Sequence, residues 1–258
     1  MADTYEKDGL LYCAVCNEPL QCKYTLNGES RIVRVACKCV ENRRADEENE
    51  RKRAMKQERI NEAREEAFQD KRLYFYTFAN NDGENGKILL VAVNYVKNFD
   101  LMMESGKGII FYGGVGVGKT FIAGCIANAL IDNGYSVIFT NFSSVANSLF
   151  GDKDKQRYME KLATCDLLIL DDLAAERDTE YMGELVQTVI DKRYMNNRPI
   201  IVTTNLTNQQ LKEPQNIRRQ SIYSRLFEMC LPIELVGDDR RRRKLFGDYS
   251  DLKKLLGI

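Results

Sequence analysis

Residues 111–121 read FYGGVGVGKTF. Ahead of them GIIFYGG, Gly108–Gly114, is a short apolar run of strand type. Behind them FIAGCIANALIDNG, Phe121–Gly134, is an apolar helical run stopped by a glycine. Gly113, Gly118, Lys119 and Thr120 fit the spacing G-x-x-x-x-G-K-[ST], and a strand before it and a helix after it are the context that spacing needs. The glycines let the backbone wrap with its N–H groups turned inward. Those donors and the helix N-terminus meet phosphate oxygens. Lys119 is then placed to reach the β- and γ-phosphates, and the Thr120 hydroxyl to bind Mg²⁺. Neither a plain turn nor a dinucleotide fold accounts for the Lys-Thr pair. ATP is therefore expected along Gly113, Gly114, Val115, Gly116, Val117, Gly118, Lys119, Thr120 and Phe121.

Outward from the loop, apolar strands alternate with helices. GKILLVAVNYVKNFDLMMESGK reads as one helix, with Leu89, Val93, Val96 and Met103 among its apolar positions. YSVIFTN, DLLILDD and PIIVTTN read as strands, and VANSLFGDKDKQRYMEKLATC and GELVQTVIDKRYMNNR as helices, the former with a polar break near Gly151. Strands apolar throughout predict an α/β fold, a parallel sheet covered by helices on both faces.

The strand LLILDD ends in Asp171 and Asp172. Asp caps helices well, yet in a phosphate-loop fold the first carboxylate holds Mg²⁺ and the second orients or deprotonates the attacking water. The chain contains no histidine, so a carboxylate is the natural base; Glu176 competes with Asp172 for that role. Asn205 ends the strand VTTN at the sheet edge where ligands bind. It is expected at the γ-phosphate or the attacking water, although Asn also serves turns. Arg225 lies in an amphipathic pattern with Ile222, Leu226 and Met229, where a lone arginine is ordinarily a salt-bridge or surface residue. Arg240–Arg243 and Lys244 form the densest basic run; a helix start after Asp238-Asp239, a γ-phosphate contact and a DNA-backbone contact all fit it.

Composition sets the outer bounds. The 258 residues are 44% hydrophobic, enough for a core in one or two domains. The 38 basic and 38 acidic side chains balance, so net charge points neither to nor away from nucleic acid, and only a local patch can. No apolar run approaches the roughly 18 residues of a membrane span, and the polar start MADTYEKDG has no signal-peptide core. A cytoplasmic location without membrane contact is expected.

Three parts are expected: a cysteine-paired module at 1–40, a charged helical linker at 41–72, and an ATPase domain at 73–258. The linker carries ten acidic and ten basic side chains with no Gly or Pro. Its apolar positions Met55, Ile60, Ala63 and Ala67 are too sparse for a coiled coil, so a spacer and a partner surface both fit. In the first part Cys13-x-x-Cys16 and Cys37-x-Cys39 form two close pairs, and four thiolates so paired suit tetrahedral Zn²⁺. Cys22 stays open as a substitute ligand. A disulfide does not suit the cytoplasm. Cys125, Cys165 and Cys230 sit in apolar contexts and are expected in the core.

Together GGVGVGKT, CDLLILDDLAAERDTEY, PIIVTTNL and SIYSRLFEMCLPIELVGDDRR resemble the AAA+ ATPases of the DnaC/DnaI type, the helicase loaders, which share an ATP-binding core with the IstB type. The resemblance covers roughly residues 73–250. It implies an AAA+ P-loop core that hydrolyses ATP at an intersubunit site, Asn205 as first sensor, Arg225 as arginine finger and Arg240 as second sensor. YTFAN, Tyr76–Asn80, resembles the family's segment near the adenine. Where the family commonly has Gly-Ala-Glu after the acidic pair, this chain has Leu173, Ala174, Ala175 and Glu176; loss of activity is not read from it.

The implied partners are a DnaB-type replicative helicase, single-stranded DNA and further copies of the chain on ATP or DNA binding. DNA contact is implied near FSSVANSLFGDKDKQRYMEK, where Lys153, Lys155, Arg157 and Lys161 are diluted by Asp152 and Asp154. DnaI-type loaders also carry an N-terminal zinc module that engages the helicase. The rivals are an IstB-type transposition ATPase, which usually lacks such a module, and a binding module that uses ATP only to set its shape. A DNA-binding initiator would need a helix-turn-helix pattern, and none is read after Asp248.

Overall fold

The computed structural model describes residues 4–26, 28–81, 83, 86–151, 155–173, 180–214, 217–240 and 252–256. Glu176, Asp152, Lys153, Asp154, Arg241–Arg243 and Lys244 lie outside the described residues. Internal contacts divide the chain into two compact units, residues 1–59 and 60–258.

The first unit opens with an antiparallel hairpin, β1 (Thr4–Lys7) and β2 (Leu10–Cys13), in which Lys7 faces Leu10. The two-residue turn between them is Asp8-Gly9, with φ 53° and 70°, the left-handed pair a tight hairpin needs. A second hairpin pairs β3 (Gln21–Leu26) with β4 (Glu29–Arg34). Helix α1 (Lys38–Ala67) then begins, and its charges are distributed all round rather than along one face. The Lys52–Glu48 pair, one turn apart at 2.7 Å, is of the kind that supports a solvated helix.

In the second unit the apolar alternation read from the sequence becomes α2 (Gly86–Lys97), α3 (Phe99–Ser105), β5 (Gly108–Gly113), α4 (Lys119–Asp132), β6 (Val137–Thr140), α5 (Phe142–Gly151) and α6 (Lys155–Thr164). It continues with β7 (Leu167–Leu173), α7 (Glu180–Met195), β8 (Ile200–Thr204), α8 (Asn208–Lys212), α9 (Ile217–Met229) and β9 (Cys230–Leu235). The single helix expected over residues 86–107 is two. It breaks at Asn98, because Phe99 turns inward to lie tilted against Tyr95 (5.8 Å) and edge-on to Tyr135 (4.8 Å), and Gly106 ends α3 at φ 62°.

The five strands lie in the order β6-β7-β8-β5-β9, and every pairing is parallel. Side chains alternate along each strand, so each strand feeds both faces. Ile110, Leu168 and Val202 pack on one side with α5, α6, α7 and α9. Ile109, Ile169 and Ile201 pack on the other, together with residues of α2 and α4. Ile60 and Ala63 of the last turns of α1 join this second layer, and Arg64 bonds Asp132 at 2.6 Å. Cys125, Cys165 and Cys230 are buried in the second unit, as expected. Parallel pairing has one functional consequence: the carboxyl ends of β5, β7 and β8 open on a single edge, about 5 Å apart from strand to strand.

Candidate active site and metal centre

At that edge β5 ends in Gly113 at φ 140°. A Cβ there would lie 2.2 Å from the Leu235 carbonyl of β9, so only glycine lets the chain leave the sheet at this point. Gly118 at φ 101° then turns the loop into α4. The turn brings Lys119, 5% exposed, back under the loop. Its ammonium donates to the carbonyls of Gly113 (3.0 Å) and Gly114 (2.7 Å) and to Asn205 Oδ1 (2.7 Å). The Lys119 side chain thus ties the loop to Asn205, the residue that follows β8.

Thr120 Oγ1 donates to both oxygens of Asp171, at 3.0 and 3.2 Å. Oxygens sharing an octahedral Mg²⁺ at 2.0–2.1 Å sit about 3 Å apart, so the hydroxyl and the carboxylate already have the spacing of neighbouring ligands. Burial pushes the Asp171 carboxyl up; the hydrogen bond from Thr203 pulls it down, Asp172 raises it, and Thr120 and the Lys119 charge lower it. A bound dication would favour the carboxylate outright. Asp172 stands at φ 56°, a left-handed conformation uncommon for Asp. Asn205 Nδ2 lies 3.5 Å from its Oδ1.

These groups face a cleft of about 410 Å³ lined by Tyr76, Asn80, Val115, Gly116, Gly118, Lys119, Thr120, Phe121, Asp172, Asn205 and Arg240. Gly113, Gly114, Val117 and Asp171 are not among the lining residues: Val117 is buried in the core, and Asp171 meets the cleft through its hydrogen bonds with Thr120. Tyr76 is tilted against Phe121 at 5.3 Å, and Asn128 holds the backbone of its segment by donating to the carbonyls of Leu73 (2.8 Å) and Tyr76 (3.0 Å). The Arg240 N–H donates to the Gly116 carbonyl at 3.1 Å, and its guanidinium lies over Gly118. Arg225 does not line this cleft. It sits on α9, ion-paired with Asp191 of α7.

In the first unit Cys13, Cys16, Cys37 and Cys39 have their sulfurs within 4.8 Å of one another. Four sulfurs 2.3 Å from a tetrahedral Zn²⁺ are about 3.8 Å apart, so this donor set fits a metal. Cys22 is not part of the cluster. Backbone N–H groups of Cys16 and Val15 draw the Cys13 thiol down to about 7, while the neighbouring Cys16 sulfur and burial push Cys39 up to about 12. Glu18 braces the two knuckles: it accepts the Lys38 N–H at 2.7 Å and pairs with the Lys38 ammonium at 2.9 Å.

The family model described as IstB-like ATP binding protein matches residues 38–245. The chain belongs to the IstB-like ATP-binding protein family. The α/β core of this IstB-like chain is AAA+-like, with a parallel sheet and flanking helices. The replicative helicase loader DnaI of Bacillus subtilis (strain 168) is 27% identical to it over 254 residues, covering 89% of this chain and 78% of that protein. The replicative helicase loader DnaC of Buchnera aphidicola subsp. Baizongia pistaciae is 28% identical over 132 residues, 49% of this chain, and the match spans about half of that relative (52%). A crystal structure of DnaI superposes with a TM-score of 0.56 at 24% identity, over 67% of this chain and 95% of that one, a likeness of fold. No described helix of the IstB-like chain is long and apolar enough to cross a membrane.

Proposed function

We infer that this chain is an ATP-dependent loader of a replicative DnaB-type helicase onto single-stranded DNA. The observation that carries the reading is the reach of the DnaI match. At 89% of the chain it cannot be confined to residues 73–258, and the IstB-like match begins at residue 38, after Cys13, Cys16 and Cys37. The part that distinguishes a loader from a transposition ATPase lies in that N-terminal stretch. The proposed organisation is a zinc module over 1–40, a charged linker over 41–72, most of it in α1 (Lys38–Ala67), and the ATPase over 73–258.

In the ATPase, the loop N–H groups and Lys119 bind the β- and γ-phosphates. Thr120 and Asp171 would hold Mg²⁺, which would supply charge neutralisation for those phosphates. Asp172 orients the attacking water and takes its proton, and Asn205, bridging Lys119 and Asp172, reports the γ-phosphate to both. Arg240 closes over the loop as the second sensor. Arg225 does not line its own cleft, which supports its acting on the nucleotide of a neighbouring copy in the assembly, where it would exchange the Asp191 carboxylate for a phosphate. An arginine finger is worth on the order of 10³–10⁵ in turnover. Arg225→Ala is therefore expected to spare ATP binding and to depress turnover by that order in the assembly. An equal fall in a strictly monomeric preparation would overturn the intersubunit role.

The loader reading itself is tested by capture of the cognate replicative helicase with and without ATP, with ATP hydrolysis followed in the same mixture. ATP-dependent capture and turnover that responds to helicase or DNA are expected. Slow turnover indifferent to both would favour a module that uses ATP only to set its shape.

A further inference from the structure

The parallel pairing of β7 with β8 is not continuous. Leu170 faces Val202, and the next pair is Leu173 with Thr204. Two residues of β7, Asp171 and Asp172, therefore stand opposite the single residue Thr203, which is a β-bulge. The bulge turns Asp172 to φ 56° and takes its N–H out of the ladder. Thr203 Oγ1 accepts that N–H at 2.9 Å and donates its own proton to Asp171 Oδ1 at 2.6 Å. The roles are forced: an N–H can only donate, and a hydroxyl has one proton to give. Thr203 is fully buried, so water cannot replace it. On the far side of the bulge Thr204 Oγ1 donates to the Leu173 carbonyl at 2.8 Å.

We propose that Thr203 is a positioning residue for ATP hydrolysis: its one hydroxyl fixes the bulge that aims Asp171 at Thr120 and turns Asp172 into the cleft. The proposal rests on the reading of Asp171 as the Mg²⁺ ligand and Asp172 as the water-activating group. Without the hydroxyl, the Asp172 N–H and one Asp171 oxygen lose a buried partner, and the left-handed turn at Asp172 loses the contact that holds it.

The test compares Thr203→Val, Thr203→Ala and Thr203→Ser in the full chain, assembled under the conditions in which the wild type turns over. Thr203→Val and Thr203→Ala are expected to lower kcat on the order of 10- to 100-fold and to raise the Mg²⁺ concentration giving half-maximal turnover. ATP affinity measured without Mg²⁺ should stay within about twofold, and Thr203→Ser should stay within about threefold of the wild type in every measure. A packing role predicts the reverse order, because Val keeps the volume and Ser loses a methyl. Val at or above Ser overturns the proposal, and if Val fails to fold, the Ala–Ser comparison decides alone. Asp172→Asn, run in parallel, separates the two failures. Full turnover in Asp172→Asn defeats the parent reading; an inactive Asp172→Asn beside an active Thr203→Ala defeats this proposal only.

Discussion

Lys119→Ala is expected to abolish ATP binding and every activity that depends on it. The ammonium is nearly enclosed, and the Gly113, Gly114 and Asn205 oxygens hold it at 2.7–3.0 Å under the loop. It is thus in place before any phosphate arrives, and little ordering remains to be done on binding. Charge-assisted hydrogen bonds contribute about 1.5–3 kcal/mol each, so losing two phosphate contacts weakens ATP by about 10²- to 10⁴-fold. Arginine is no substitute, since its planar fork does not reproduce a compact three-donor ammonium. Binding of a fluorescent ATP analogue reads the effect directly. Thermal unfolding gives the control: ATP at 100 times its Kd stabilises the wild type by about 2.7 kcal/mol, and the variant should show no ATP-dependent shift while unfolding near the wild type's nucleotide-free temperature. Its orphaned acceptors are within reach of water, since Gly114 and Asn205 are exposed and Gly113 is half-buried. Affinity within about threefold of the wild type, or retained helicase loading, would overturn the ATP-driven mechanism.

What could be read in the sequence was local. The loop, the acidic pair and Asn205 each occupy one turn or one strand end, where residue type and spacing carry the chemistry. Alternating apolar runs were enough for the sheet because each strand is buried on both faces. What escaped depends on partners distant in the chain. The break at Asn98 follows from Tyr135, which lies beyond the loop. The bulge at Asp171-Asp172 is set by Thr203 on another strand, although the quoted VTTN contained the residue. Arg193 is fully buried, yet in DKRYM it is indistinguishable from Lys192. Its guanidinium serves carbonyls of Cys165 (2.5 Å), Leu162 (3.3 Å) and Pro199, acceptors at the end of α6 and just ahead of β8. Asp191 as the partner of Arg225 is likewise a fact of helix packing.

The second large effect is expected at the cysteine cluster. Among the described residues of the first unit, Cys13 and Cys37 are the only buried ones. Its two hairpins therefore have no apolar core, and isolated hairpins are marginal in water at best. A structural Zn²⁺ contributes about 10–16 kcal/mol of binding free energy that appears as folding free energy. We propose that one Zn²⁺ held by Cys13, Cys16, Cys37 and Cys39 is what folds this unit. Metal analysis should find one equivalent of Zn²⁺ per chain. Chelation, or the double change Cys13→Ser with Cys37→Ser, should release it and open residues 4–37 to proteolysis, while ATP binding by the second unit persists. Cys22→Ser is the discriminating variant. The sequence left Cys22 as a possible ligand, but the other four sulfurs converge without it, so its loss should leave metal content and protection unchanged. One equivalent of Zn²⁺ retained by the double variant, or undiminished protection after complete chelation, would show that something other than the four thiolates holds the module together.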